Sequence, residues 1–441
     1  MQAPVEIARA KVPALTWIVV ALALAAGIAL RLAYPGDIEW KADERWLFEQ
    51  ARAVLAGAPW PQFGLPTSVQ GVNPPLSAWV FVALAWLSGA ASPPELARAV
   101  QALNAAAPLA LLLFAWRAVP AQEREPWAWA AALWAVNPLG VMFERKIWPP
   151  SLLPIFVVAL VAAWWHRRSA LGSFLFGLLA ALLAQIHLAV ALLAAALALW
   201  ALMDDRRSLR WGPLIVGIAL GALPALPWLM DLAQSGAGHT RLRFPIPTFW
   251  VRWLMQPFGF GAEYTLGLAQ FREFLTGPII AGAPTHMVGF LHAALAVLAL
   301  GIYFRAARAV YLQGPPPARR VFIGGSPAGV LVNAVFWGYG AMLTLITVAG
   351  AGSHRHYLIP VAPMMALWVA RLTAFGDGGA LGRRGRLLLV GLCIAGALVS
   401  ASLLRYIHVT QVIHGEYGPT WAAQETGRAP PTRALDYSPR R

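Results

Sequence analysis

Along most of this chain apolar positions run on unbroken for 16 to 23 residues before a short polar or basic connection intervenes, without the period of a strand or of a one-sided helix. Runs of that length, apolar all round, predict helices able to cross about 30 Å of hydrocarbon at about 1.5 Å of rise per residue. They fall at 14–33, 97–116, 127–143, 150–165, 169–186, 188–203, 212–230, 286–304, 327–349, 356–374 and 387–404, about eleven spans in all. An all-α polytopic membrane protein is the fold class this implies.

Two stretches break the pattern. In residues 43–55, Leu47, Ala51, Val54 and Leu55 recur at i, i+4, i+7 and i+8 while Glu44, Glu49 and Arg52 project elsewhere. That spacing predicts an amphipathic helix lying along the interface, with Asp43 at its start. Residues 76–91, LSAWVFVALAWLSGAA, are apolar but about sixteen long, between Asn73-Pro74-Pro75 and Ser92-Pro93-Pro94.

Basic clusters at Arg9/Lys11, Arg117 to Arg124, His166 to Arg168, Arg206 to Arg210, Arg305 to Arg320 and Arg383 to Arg386 occupy every second connection. The positive-inside rule then makes them cytoplasmic, together with the N-terminus. Were 76–91 to span, Arg9 and Lys11 would face away from all later clusters, so this segment is assigned as interfacial or re-entrant. The outward parts are the first loop 34–96, the turn 144–149, the loop 231–285, residues 350–355 and the tail 405–441. Asp43, Glu44, Glu144, Asp231, Glu263, Glu273 and Glu416 are thereby outward, and so are Arg241, Arg243 and Arg252.

Composition agrees with this picture. Hydrophobic residues make up 59% of the 441 positions and charged ones 12%, so 1–441 is one integral membrane domain without a sizeable soluble part. The net charge of +15 sits in short clusters rather than on one face, which argues for topology signals and against nucleic acid. The single cysteine, Cys393, offers neither a disulfide nor a thiolate cluster. The first apolar run is expected to be a retained helix, and the composition suggests a bacterial inner (plasma) membrane. No Gly-rich phosphate loop, HExxH or EF-hand pattern occurs.

Three constellations carry candidate chemistry. Asp43 and Glu44 suit a helix start, where acids cap and oppose the dipole, and a capping Asp can also be a catalytic one. Glu144, Arg145 and Lys146 in FERKIWPPSLL are either an interfacial group beside an aromatic anchor or an acid and two cations at the mouth of a cavity. Ser353, His354, Arg355 and His356 in SHRHYLIPVAP either snorkel or meet a phosphate at headgroup depth. Outward acids and histidines leave a divalent metal open, but no two stand at a diagnostic interval. His187, in AQIHLAV, is expected to be a satisfied helix-end histidine.

Taken together, ADERWLFEQA, NPPLSAW, FERKIWPPSLL and RHYLIP resemble the GT-C membrane glycosyltransferases, in particular the protein O-mannosyltransferase and aminoarabinose-transferase branch of glycosyltransferase family 39. The resemblance implies inverting transfer of a sugar from a polyprenyl-phosphate carrier to an acceptor on the outer face, in contact with membrane lipid and without a nucleotide cofactor. The first-loop Asp of that family maps onto Asp43, as general base. Catalytic candidates are thus Asp43, Glu44 and Glu144. Candidates for the lipid phosphate and substrate are Arg355, His354, His356, Tyr357, Lys146, Arg145, Asn73, Arg241 and Arg243.

Two departures accompany the likeness. Pro149-Pro150 stand where relatives often carry an acid, so a second acidic role is moved to Glu144 or missing. Asn73 stands before Pro-Pro-Leu where Lys or His is common. A transporter or flippase is the competing class, since Pro-containing spans also build alternating-access proteins, and a non-catalytic scaffold of the same fold is the third. The sugar and the acceptor, whether protein, lipid or glycan, are not specified.

Overall fold

The structure, a computed structural model, describes residues 12–66, 72–235, 247–349 and 354–432. Arg9, Lys11, Arg241, Arg243 and Ser353 lie outside the described residues. Helices α1 (Ala14–Leu32), α2 (Ala42–Leu55), α3 (Leu76–Ser88), α4 (Pro93–Ala118), α5 (Arg124–Val136), α6 (Pro138–Phe143), α7 (Leu153–Trp165), α8 (Ala170–Ile186), α9 (Ala189–Asp204), α10 (Trp211–Ala222) and α11 (Leu226–Ser235) form the first series. The second holds α12 (Pro247–Met255), α13 (Ala262–Leu266), α14 (Leu268–Thr276), α15 (Met287–Gln313), α16 (Ala318–Phe322), α17 (Pro327–Asn333), α18 (Gly340–Val348), α19 (Ala362–Gly376), α20 (Arg383–Thr410) and α21 (Trp421–Glu425). Among the described residues the strands are the two-residue pair Ile279–Ile280 and Ala283–Pro284. The chain is all-α, as its apolar pattern requires.

Every side chain of α5 from Trp127 to Val136 is buried. A helix covered on all sides belongs at the centre of a bundle, and α1, α4, α19 and α20 surround it. Small residues let backbones approach where lipid offers no hydrophobic drive to associate. At Gly27 of α1 an added Cβ would stand 2.6 Å from the Ala135 carbonyl oxygen of α5. Helices α8 and α10 meet the same way, with Gly177 facing Leu214 O and Gly217 facing Phe174 O.

Seven helical stretches are long and apolar enough to cross a membrane by length and composition: Ala14–Leu32, Pro93–Ala118, Trp211–Leu232, Met287–Gln313, Pro327–Val348, Arg355–Gly376 and Arg383–Thr410. Three further expected spans correspond to shorter apolar helices, Pro149–Trp165, Ala170–Ile186 and Ala189–Asp204. The span expected over 127–143 is broken instead. Pro138 cannot donate to the helix before it, and the Asn137 side chain accepts from Leu139 N and Gly140 N, so α6 starts afresh. Helix α3 has 13 residues, about 20 Å of rise, shorter than the hydrocarbon thickness.

The basic clusters of the described chain gather at one end of the bundle. They lie at the C-terminus of α4, the N-terminus of α5, the C-terminus of α7, the α9–α10 connection, the last turns of α15 with the residues after it, and the N-terminus of α20. Acids meet them there: Arg386 Nε lies 2.7 Å from Glu125 Oε1, and Arg168 Nη2 lies 3.0 Å from Asp205 Oδ2. The opposite end carries the C-terminus of α1, the N-terminus of α2, the turn after α6, and the residues leading into α19.

A strap after α20 closes that opposite end. Glu39 and Thr420 form an antiparallel bridge, Trp421 N donates to Ile38 O, and Ala422 N donates to Gly36 O. On its other side Tyr417 N donates to Thr265 O and Glu416 N to Tyr264 O. HGEYGPTW, residues 414–421, thus ties the first loop to the segment around α13. An added Cβ at Gly415 would come within 2.3 Å of Gly267 N and 2.4 Å of Thr265 O, both backbone. Gly415→Ala is therefore expected to cost about 1–3 kcal/mol through forced displacement, read as a lower unfolding temperature and faster proteolysis beyond Thr410.

Candidate active site

Between these loops lies a cavity of about 510 Å³. Its walls bring together Asp43, Glu44, Asn73, Lys146, His354, His356 and Tyr357 from segments as far apart in sequence as the first loop and the start of α19. Glu39, Lys41, Trp148, His187, Tyr264 and Glu416 complete the polar lining.

The acidic side is built on the start of α2. The helix begins at Ala42 with Lys41 at the N-cap, so Asp43 is not the cap that its position suggested. The reason is Glu44, whose Oε2 accepts from Lys41 N at 3.2 Å and satisfies the exposed amide from inside the first turn. Glu44 is buried rather than projecting away. Burial, with Glu39 beside it, pushes its carboxyl up to about 8 against the pull of Lys146 and Lys41.

Glu39 is 3% exposed and holds two cations, Lys41 and Lys146, the latter at 2.5 Å. Lys146 Nζ also stands 4.1 Å from the centre of the Trp148 ring. Trp148 Nε1 donates to Asp43 Oδ2 at 3.3 Å. Asp43 itself is partly buried and, among the described residues, enters no ion pair. Burial raises its pKa above the ordinary value, while the Trp148 hydrogen bond, Lys41 and Lys146 pull it down.

The facing wall is aromatic and imidazole. His356 lies 5.0 Å from Trp148, 5.1 Å from His187 and 4.7 Å from Tyr357, ring centre to ring centre, and stacks with His354 at 5.4 Å. Burial, reinforced by His354, pushes His187 down to about 4, so this imidazole is neutral. His187 N-caps nothing by charge: its Nδ1 accepts from Ala189 N at 3.3 Å. Asn73 closes the floor, its Nδ2 donating to Leu65 O at 2.9 Å.

Three candidates stand apart from this cavity. Glu144 is 1% exposed; its Oε2 lies 2.5 Å from Arg31 Nη2, and its Oε1 accepts from Trp134 Nε1 at 2.8 Å. Arg145 is likewise buried, and its guanidinium collects the carbonyls of Leu30, Arg31, Ala33 and Tyr34, the orphan acceptors at the end of α1. Arg355 pairs with Glu263 at 2.7 Å and lies over the Tyr264 ring. It faces an open recess shared with Arg252 and His414, separated from the cavity by Lys41, Tyr264 and Glu416.

Glu39, Lys41, Trp148 and Tyr264 are among the cavity residues the sequence pattern missed. The signal that could have found Glu39 is a second acid within four positions of Asp43 in the same loop. Among the described residues no group of three His, Cys, Asp or Glu side chains converges to hold a metal ion. The described residues thus do not fit a resident metal centre.

No family model and no curated protein matches the chain. Solved structures do. The crystal structure of ArnT from Cupriavidus metallidurans bound to undecaprenyl phosphate superposes over 94% of this chain and 79% of that one, with a TM-score of 0.52 at 12% identity. Its apo state matches over 90% and 76%, with a TM-score of 0.50, again at 12% identity. ArnT is an aminoarabinose transferase, and the bundle with its end-on cavity accordingly has the GT-C fold of membrane glycosyltransferases.

Proposed function

We propose that the protein transfers a sugar from a polyprenyl-phosphate carrier to an acceptor hydroxyl or amine on the outer face of the membrane, with inversion and with Asp43 as general base. The observation that carries this reading is the state of the cavity carboxylates. Glu39 is neutralised by two lysines, Glu44 is buried as a cap, and Glu416 sits exposed on the strap. Asp43 faces the cavity without an ion pair among the described residues, with a pKa raised by burial, which suits a proton acceptor.

In the reaction the acceptor atom forms a bond to the anomeric carbon as the bond from that carbon to the carrier phosphate oxygen breaks. The acceptor proton goes to an Asp43 carboxylate oxygen, and the electron pair of the broken bond leaves on the polyprenyl phosphate. Lys41, whose side chain is 41% exposed, faces both the cavity and the recess, and with Arg252 and Arg355 beyond it supplies the cations that oppose the charge on the leaving group. The gathering of basic clusters at the far end supports an outward-facing cavity by the positive-inside rule.

The test is direct. Purified protein is incubated with a panel of undecaprenyl-phosphate-linked sugars and mixed hydroxyl and amine acceptors, and release of the free carrier is followed. Release by the wild type and none by Asp43→Asn is expected; equal release by both would sink the reading.

A further inference from the structure

Trp148 touches three of the cavity's charged or titratable side chains, Asp43, Lys146 and His356. Its Nε1 donates to Asp43 Oδ2 at 3.3 Å, its ring carries the Lys146 ammonium at 4.1 Å, and its edge meets His356 at 5.0 Å. Behind it, Phe143 stacks at 5.9 Å with an interplanar angle of 23°. Pro149 follows Trp148 and opens a one-turn segment, Pro149–Leu152, whose φ is fixed by the ring. Arg145, three residues earlier, is anchored on the carbonyls that end α1. The indole is therefore held on both sides of its own backbone.

We propose that Trp148 is a positioning residue for Asp43: it fixes the orientation of the carboxylate through the indole N–H, and the Glu39–Lys146 pair loads the indole ring. This rests on the assignment of Asp43 as general base. The physical argument is geometric. Asp43 sits in the first turn of α2 with no ion pair to restrain it, and a carboxylate free to rotate spends time off the line of attack. The Trp148 hydrogen bond selects one rotamer, leaving the second oxygen, Oδ1, for the acceptor proton. Lys146 cannot swing to Asp43, because Glu39 holds it at 2.5 Å and the indole face attracts it. The base thus keeps nearby cations without being neutralised by one.

The groups that act on Asp43 are Trp148, Lys41 and Lys146, which favour its ionised form, and Glu39, which disfavours it; the Asp43 charge in turn helps to raise Glu44, next in α2. Trp148→Phe keeps the ring for Lys146, Phe143 and His356 and removes only the donor. Asp43 then becomes harder to ionise, so the ascending limb of kcat/KM against pH moves to higher pH. At pH values below the limb, kcat/KM falls by about tenfold, the worth of one hydrogen bond to a charged group. Above the limb much of it returns. A purely structural role for Trp148 would lower the folded yield or scale kcat evenly, without moving the limb.

The experiment records pH profiles of carrier release, with the best undecaprenyl-phosphate sugar of the panel, for wild type, Trp148→Phe, Trp148→Met and Asp43→Asn. Folded protein is quantified by thermal unfolding in detergent. An upward limb in Trp148→Phe supports the proposal, and a limb at the wild-type pH in folded Trp148→Phe overturns it. Should Trp148→Phe fail to fold, Trp148→Met decides, since it also removes the N–H donor while leaving Lys146 and Lys41 in place: an upward limb supports the proposal and an unmoved one overturns it. Full activity in Asp43→Asn removes the base assignment and this proposal together, whereas an inactive Asp43→Asn with an unmoved limb in Trp148→Phe removes this proposal alone.

Discussion

Asp43→Asn is expected to lower carrier release by about 10²–10⁴-fold, the usual contribution of a positioned general base, while the protein unfolds at the wild-type temperature. The isosteric amide accepts the Trp148 hydrogen bond through its oxygen but cannot take a proton from the acceptor. Ordinarily an Asp at a helix start makes such a variant ambiguous, because losing a cap costs about 1 kcal/mol and can misplace the helix. Here Lys41 is the N-cap residue, and the bond to its amide comes from Glu44. The capping function and the proton-accepting function therefore reside in different side chains. A folded variant with a wild-type rate would place the base elsewhere.

The pH dependence follows from the same site. Burial raises the Asp43 pKa above the ordinary carboxylate value, so the base form is lost as pH falls through a point higher than an exposed Asp would give. Transfer should rise with pH along a limb set by Asp43, displaced upward from the ordinary range, and Asp43→Glu should retain a limb where Asp43→Asn has none.

Much of the architecture was written in the length of the apolar runs, because a lipid-crossing helix needs little more than twenty apolar residues and a polar stop. The breaks were harder. Asn137-Pro138 interrupts 127–143 through a side-chain cap and a missing amide, and both act over two residues inside a run whose mean character never changes. At the site, Asp43, Lys146 and His356 were legible as unusual residues at helix ends. Their assembly was not, since the strap 411–421 and the first loop are joined by backbone hydrogen bonds that leave little side-chain pattern. Glu39 was passed over for that reason: it lies in extended backbone bridged to Thr420, where neither helical nor strand periodicity marks it. Glu144 and Arg145 illustrate the converse. Charges at a membrane edge attract functional assignment, yet these adjacent residues both turn to the end of α1, one into an ion pair with Arg31 and one onto the carbonyls of Leu30 and Ala33.

That buried pair yields the largest expected effect on stability. Arg31→Met removes the cation from a carboxylate that is 1% exposed and leaves Trp134 as its remaining partner. Breaking a buried pair from one side typically costs about 3–5 kcal/mol, since the surviving charge has no water to return to. Arg31 Nη1 also donates to Gly27 O and to Ala135 O at 2.6 Å, across the close contact of α1 with α5, so the loss reaches the centre of the bundle. Glu144→Gln should be costly as well, because it strands the guanidinium. The double replacement Arg31→Met with Glu144→Met should recover most of the loss, because two apolar side chains of similar length need neither partner. The coupling free energy from the four proteins, obtained by reversible unfolding in detergent, is expected to be large. The same double variant separates two roles for Glu144. Its carboxylate is turned to Arg31 and Trp134 rather than to the cavity beside Asp43, so carrier release per folded molecule should stay within several-fold of wild type. A folded double variant as inactive as Asp43→Asn would instead make Glu144 a second acid of the reaction.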